Sequence, residues 1–255
     1  LRGYLHADCG GQVQRRARQY ELIREPALAL PFARALVTAK LRNQRWLLRT
    51  LDQPEAAMGL EPFIDLAEHA ASADRLRGVE GSGARVYFAA FPALLAGTAF
   101  PFPGRRKRPA TDPVNAMLSL GYTLLLAEVR NALQGYGLDP FAGVFHASDG
   151  GQPSCALDLM EPLRPLVDRL VLRLARRVLT PDDFGEQEDG ACLLKDGRRG
   201  GFYRAWEDWL AERVLWKNEH HAYRAILHAQ AGELARCLDD PMLSYHPLML
   251  SALGR

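Results

Sequence analysis

Cysteine is scarce in this sequence. The four present, at positions 9, 155, 192 and 237, form no CxxC pair and no finger-like spacing, which argues against a zinc ribbon or a disulfide framework. They read as reduced thiols of a cytosolic protein. An excess of one charge sign is also missing. The 32 basic and 30 acidic side chains leave a net charge of +2, so nucleic-acid affinity has to come from local patches rather than a global field. Long apolar runs are absent too. The longest, Ala116 to Val129, is interrupted by Ser119, Gly121 and Glu128 and is too short to cross a bilayer. No charged-then-apolar leader opens the sequence, and there is no internal repeat or low-complexity tract. The expectation is a cytoplasmic protein with no membrane association.

What is present is an ordinary globular balance, with 48% hydrophobic and 24% charged residues over 255 positions. That length supports one large or two modest domains with a real core. The dominant periodicity is helical. Residues 27–51 place Leu36, Val37, Leu41, Gln44, Leu47, Leu48 and Leu51 on one face. Lys40, Arg42, Arg45 and Arg49 fall mostly elsewhere, as a solvated basic face or a phosphate-contacting one. A second helix is expected over Pro62–Leu76. Asp112-Pro113 is a helix start, an N-cap followed by proline, and the apolar Pro113–Leu133 helix after it is expected to be buried and ended by Gly135 and Gly137. Asn115, polar at its start, is a candidate for capping or for touching a site. Leu166–Val178 is amphipathic, Thr180-Pro181 opens a short helix, Glu186–Gly201 is a hairpin or loop, and Phe202–Leu238 reads as helix again. The final YHPLML stretch is expected to pack against the body.

The chemistry concentrates between Gly137 and Arg164. His146 sits in a short loop after LDPFAG, and Asp158 and Glu161 follow at the start of an apolar run. Three residues apart on a helix, the two carboxylates face the same way. Pro162 and Pro165 are expected to bend that helix just beyond them, and Arg164 is placed to pair with a carboxylate or a phosphate. Upstream, RGVEGSGARVYFAAF carries Glu80 beside Gly81 and Gly83, poor helix formers whose small size allows a backbone or a phosphate close approach. One imidazole with two or three carboxylates makes a hard donor set suited to Mg²⁺ or Mn²⁺. Taken singly, Glu80 reads as a surface glutamate and His146 as a structural histidine. The FPFPGRRKRPATDP loop holds Arg105, Arg106, Lys107 and Arg108 in a row, either a solvated loop or a mobile basic clamp over DNA. Glu219, His220, His221 and His228 lack the HExxH spacing of zinc hydrolases and read as helix surface.

These strings resemble the CRISPR-associated integrase family, the adaptation nuclease that inserts spacers into CRISPR arrays. Glu80, His146 and the pair Asp158/Glu161 stand in that family's order. AKLRNQ (39–44), VEGSGARVYF (79–88), RKRPATDPVN (106–115), GLDPFAGVFH (137–146) and LDLMEPLRPLVD (157–168) resemble its motifs in sequence. The resemblance implies a mainly α fold. It also implies a β-rich N-terminal domain, of which only a remnant strand and linker are expected in residues 1–20, with residues 21–255 forming the helical catalytic domain. By the same resemblance Glu80, His146 and Glu161 bind the metal, with Asp158 as an added ligand or supporting partner. Many members carry Asp where this sequence has Glu161. The activity implied is a metal-dependent DNA endonuclease and integrase acting by 3′-hydroxyl attack on a phosphodiester. Arg85, Arg105, Arg106, Lys107, Arg108 and Arg164 are then assigned to DNA phosphates. Double-stranded DNA, a second copy of the chain and a small companion adaptation protein are the implied partners. Without the resemblance, a non-catalytic helical nucleic-acid-binding or scaffold module fits the pattern as well, and a purely structural bundle would leave the candidate ligands exposed and far apart.

Overall fold

The structure, a computed structural model, describes residues 12–106, 108–146 and 151–254. It is mainly helical, as expected. A first helix, α1 (Val13–Arg24), runs through the expected boundary between residues 20 and 21 and packs on α2 (Pro26–Thr50) and α11 (Tyr223–Asp239). The expected remnant strand falls largely on residues 1–11, outside the described residues. Helix α2 is the hub. Its Leu36, Val37, Leu41, Leu47 and Leu48 are completely buried, and it meets the short helices α3 (Pro54–Met58) and α4 (Glu61–Glu68), then α5 (Ala73–Ala89) and α9 (Arg164–Arg177). Asn43 on α2 fastens the chain's end: its Nδ2 donates to the carbonyls of Pro162 and Leu248, and its Oδ1 accepts from Leu250 N.

The single helix expected over Pro62–Leu76 is two. Helix α4 stops at Glu68, and Ser72 starts α5 as an N-cap, its hydroxyl accepting from Arg75 N at 3.2 Å. A side-chain oxygen that satisfies a free amide makes a new helix start cheaper than continuing the old helix. Gly83 on α5 is explained by packing: a Cβ there would stand 2.6 Å from Leu41 Cδ2, so the glycine admits an α2 leucine. Gly81 has open space around it.

After the short α6 (Phe91–Leu94), Asp112 caps α7 (Pro113–Gly135), accepting from Asn115 N at 2.9 Å. Gly121 lets α7 cross α9 closely, since a Cβ would lie 2.5 Å from Val167 Cγ1. The helix turns out of α7 through Gly137 at φ +72°. Helix α8 (Ser154–Met160) passes into a 3₁₀ turn at Glu161–Leu163 before α9 begins. Pro162 and Pro165 each lack an N–H, and this interruption is the bend they were expected to give.

The last third departs from the expected Phe202–Leu238 helix. An antiparallel hairpin pairs β1 (Phe184–Glu186) with β2 (Cys192–Leu194), and α10 (Asp196–Ala211) already begins six residues before Phe202. A second hairpin, β3 (Arg213–Trp216) with β4 (Glu219–Ala222), then separates α10 from α11. Its two-residue turn is Lys217-Asn218, both at positive φ (51° and 67°), the backbone hand that matches strand twist. The YHPLML tail packs down as expected, with Tyr245, Leu248 and Leu250 buried. Among the described residues no helix is long and apolar enough to cross a membrane.

Candidate active site

The inner face of α2, the middle of α5, the loop after α7 and the α8–α9 bend meet around a cavity of about 530 Å³ lined by Lys40, Gln44, Glu80, Arg85, Arg105, Tyr122, His146, Glu161 and Arg164. Residues scattered over 120 positions of sequence thus share one wall.

Asp158 organises the His146 loop. Its Oδ2 accepts from the backbone amides of Val144 (2.6 Å) and Phe145 (3.0 Å), and its Oδ1 from His146 N (2.9 Å). His146 Nδ1 lies 2.8 Å from the same Oδ1. A carboxylate accepts, so Nδ1 is the protonated nitrogen of the neutral ring and Nε2 keeps its lone pair. That Nε2 stands 3.7 Å from Glu161 Oε1. The loop lies so close to α8 that a Cβ on Gly143 would be 2.4 Å from the Ser154 carbonyl carbon, which only glycine allows. Asp158 therefore holds the histidine, while His146 and Glu161 face the cavity.

Glu161 is 2% exposed. Burial would raise its pKa, but Arg164 and Lys40 outweigh that and, with His146, hold it at about 2. Arg164 Nε is 2.8 Å from Oε1. Lys40 Nζ is 2.5 Å from Oε2 in a buried ion pair. The same ammonium bonds Glu80. Lys40 was expected on the basic face of α2, turned to solvent or to phosphate. It is instead 6% exposed, its burial opposing its charge while Glu161 and Glu80 more than restore it. One lysine head thus bridges the two carboxylates. Among the described residues no three His, Cys, Asp or Glu side chains stand together as a ready metal cage. Glu80, His146 and Glu161 surround the cavity with Lys40 between two of them.

The basic residues divide. Arg85, Arg105 and Arg164 line the cavity. Arg106 and Arg108 are exposed and do not, and Lys107 lies outside the described residues. The start of the basic loop is held: Asn115 Nδ2 donates to Gly104 O, and its Oδ1 accepts from Arg106 N (2.9 Å) and Arg105 (2.7 Å). Asn115 supports the capping Asp112 rather than capping α7 itself, and it anchors the cavity arginine Arg105 without lining the cavity. Behind this wall, Tyr87 and Tyr122 donate to the two oxygens of Asp168 at 2.8 and 2.5 Å. Asp168 is fully buried, which pushes its pKa up to about 6 despite those hydroxyls and the nearby Arg105 and Arg164. The Tyr122 ring lies 4.7 Å from the Arg164 guanidinium and 5.5 Å from that of Arg105, a cation–π seat for both. Sequence reasoning missed Lys40, Tyr122 and Asp168 as parts of the site. Glu219, His220 and His221 lie in the second hairpin, far in character from a site, with Glu219 and His220 exposed.

The sequence profile described as CRISPR associated protein Cas1 matches residues 1–208. The chain belongs to the Cas1 family. A curated Cas1 relative, CRISPR-associated endonuclease Cas1 2 of Rhodospirillum rubrum, is 39% identical over 93% of this chain and 74% of its own length. Among solved structures, a casposase bound to integration product aligns at a TM-score of 0.82 with 26% identity, over 90% of this chain and 66% of the casposase. A Cas6-RT-Cas1--Cas2 complex aligns at 0.84 with 23% identity, over 98% of this chain and 28% of that one, and this likeness speaks to the shared Cas1 fold. Against the structural-bundle expectation, the Cas1 candidate ligands are gathered, with Asp158 and Glu161 buried.

Proposed function

We propose that this Cas1-family chain is a metal-dependent DNA endonuclease and integrase that joins the 3′ end of a short duplex to CRISPR repeat DNA. The observation that carries the reading is the cavity itself. A histidine whose Nδ1 is fixed by Asp158 offers Nε2 beside Glu161, a carboxylate already paired with a buried cation. Positive charge is stabilised at that point, and the donor set of Glu80, His146 Nε2 and Glu161 suits a small hard divalent ion. Those three residues would hold Mg²⁺ or Mn²⁺, with Asp158 setting the ring. When bound, the ion supplies Lewis-acid stabilisation of a phosphodiester under attack.

The protein's own groups do the rest. Arg164 and Arg105, seated on Tyr122, and Arg85 meet phosphate oxygens in the cavity, while the exposed Arg106 and Arg108 extend the basic surface outward, and Lys107, outside the described residues, is assigned to phosphate with them. The casposase neighbour, described as bound to integration product, supports DNA as substrate. Pairing of two copies and of a small companion adaptation protein belongs to the same reading, in keeping with the neighbour described as a Cas1--Cas2 complex. So does a division into a remnant strand and linker of a β-rich domain in residues 1–20 and a helical catalytic domain over residues 21–255, a boundary that α1 runs across.

The test is transfer of a labelled duplex into supercoiled plasmid with Mn²⁺ or with EDTA, for the full chain and for His146→Ala. Joined product that requires both metal and His146 is the expected result. Metal-dependent nicking without joining reduces the claim to a nuclease, and binding with neither reaction removes it.

A further inference from the structure

One face of α1 follows the main chain out of α7. Arg15 donates to the Tyr136 carbonyl at 2.6 Å and Arg16 to that of Gly137 at 2.9 Å. One helical turn on, the Tyr20 hydroxyl donates to the Asp139 carboxylate at 2.7 Å, and Gln19 reaches the backbone of the loop. Gln19 is 2% exposed. Its Nε2 donates to the carbonyls of Asp139 (2.8 Å) and Ala142 (3.0 Å), and its Oε1 accepts from Asp139 N (2.9 Å). A buried amide bonded at both its oxygen and its nitrogen is costly to remove, because the groups it satisfied stay buried. Here every one of those groups belongs to a single turn, which leads directly into Gly143–His146.

Helix α8 holds the same turn from the other side. Ala156 N donates to the Pro140 carbonyl and the Ser154 hydroxyl to that of Phe141. The four carbonyls of residues 139–142 are thus divided between α1 and α8, two each. Next to the bonded Ala142 comes Gly143, where the loop presses on the backbone of Ser154 and Cys155. Beyond it the amides of Val144, Phe145 and His146 hang on Asp158. The loop is gripped between two helices, and hydrogen bonds weaken quickly when lengthened or bent. With the α1 grip gone, the turn is free to draw back from α8 and to slacken the amide bonds that seat the imidazole.

We propose that Gln19 is a positioning residue for His146: through the 139–142 turn it sets where Nε2 stands relative to Glu80 and Glu161. This rests on the metal-site reading above. Glu80 lies within α5 and Glu161 in the 3₁₀ turn between α8 and α9, so helical backbone places both. His146 is carried on a loop and takes its place from whatever grips that loop. Gln19 does not line the cavity; it acts through the backbone it holds. The arrangement of a metal ligand is thereby tied to the seating of α1, about 120 residues away in sequence.

The experiment is a Mn²⁺ titration read by the EPR signal of the free ion, on the full chain, on Gln19→Met and, for reference, on His146→Ala. Methionine keeps the volume and leaves the Asp139 and Ala142 carbonyls without their donor. Mn²⁺ affinity is expected to fall roughly 5- to 10-fold, short of the roughly 10- to 100-fold usual for a group that bonds a metal ligand directly. In single-turnover joining, the half-activating Mn²⁺ concentration is expected to rise by the same factor while the rate at saturating Mn²⁺ is largely kept, which separates a misplaced ligand from a lost one. Ile226→Ala opens a cavity at a fully buried position of α11 that lines no part of the site. It is expected to lower the melting temperature and leave Mn²⁺ affinity unchanged. Gln19→Asn keeps the amide one methylene short; it is expected to weaken Mn²⁺ in the same direction and carries the test if the methionine variant does not fold. Unchanged Mn²⁺ affinity in the Gln19 variants overturns the proposal, as does a loss that Ile226→Ala shares. If the full chain binds Mn²⁺ no better than His146→Ala, the metal-site reading itself fails. If it binds better and Gln19→Met matches it, only the role of Gln19 fails.

Discussion

Asp168→Asn isolates one buried charge. Burial raises the Asp168 pKa from 3.8 to about 6. Between those values the folded chain binds a proton that the unfolded chain has released, so stability falls as pH rises through the window. A shift of about two units corresponds to about 3 kcal/mol of stability, fully present below about pH 4 and lost above about pH 6. Asparagine fills the same space, with one oxygen to accept from a tyrosine and an NH₂ to donate to the other. It carries no charge at any pH. The two proteins should therefore have similar stability near pH 4 and diverge above it, until at pH 7 the variant is ahead by about 3 kcal/mol. For a chain of this length that is roughly 6–12 °C in melting temperature. Thermal or urea melts from pH 4 to 8 at constant ionic strength read it directly. A gap that stays constant with pH refutes the raised pKa. A gap that opens the other way means that Arg105 and Arg164 outweigh burial and the carboxylate is held ionised.

Three further predictions follow from the site. Lys40→Met leaves Glu80 and Glu161 facing each other, and breaking this buried pair should cost about 3–5 kcal/mol. Mn²⁺ should raise the melting temperature of Lys40→Met more than that of the parent chain, and equal shifts would show that lysine and metal do not compete. Gly143→Ala drives a methyl group against the backbone of Ser154 and Cys155, 2.4 and 2.6 Å away. It should lose roughly 3 kcal/mol and its joining activity, whereas retained activity would mean the His146 loop can shift freely. Asp158→Ala strips the acceptor from three backbone amides and the His146 ring. A loss of about 3 kcal/mol or more is expected, with the ¹⁵N imidazole signals of His146 no longer those of a single Nδ1–H tautomer. Unchanged imidazole signals would contradict the orienting role.

Much of this was legible in the sequence, and the reasons are local. The Asp112-Pro113 start, the amphipathic faces of α2 and α9 and the proline bend after Glu161 are dictated by neighbours within a turn or two. His146, Asp158 and Glu161 stood out because loop, helix start and spacing lie together in one stretch. Lys40 did not, because helical periodicity treats every charge as outward. Only the two glutamates arriving from α5 and α8–α9 make its burial tolerable. Asp168 was hidden for the same reason, since its tyrosine partners lie 46 and 81 residues away. The β3–β4 hairpin was missed because Lys217-Asn218 carries no glycine to announce its positive φ, and the flanking residues are too few to show alternation.

The Asn43 fastening has a consequence for how the end of this chain tolerates change. What Asn43 grips is main chain, the Leu248 carbonyl and the Leu250 amide, together with the Pro162 carbonyl next to Glu161. The side chains of residues 240–244 are exposed and are free to vary without disturbing that grip. Their number is not. Adding or deleting one residue there slides Leu248 and Leu250 past Asn43, leaves a buried amide unmatched and loosens the turn that carries Glu161. Over this stretch, length is under tighter constraint than composition.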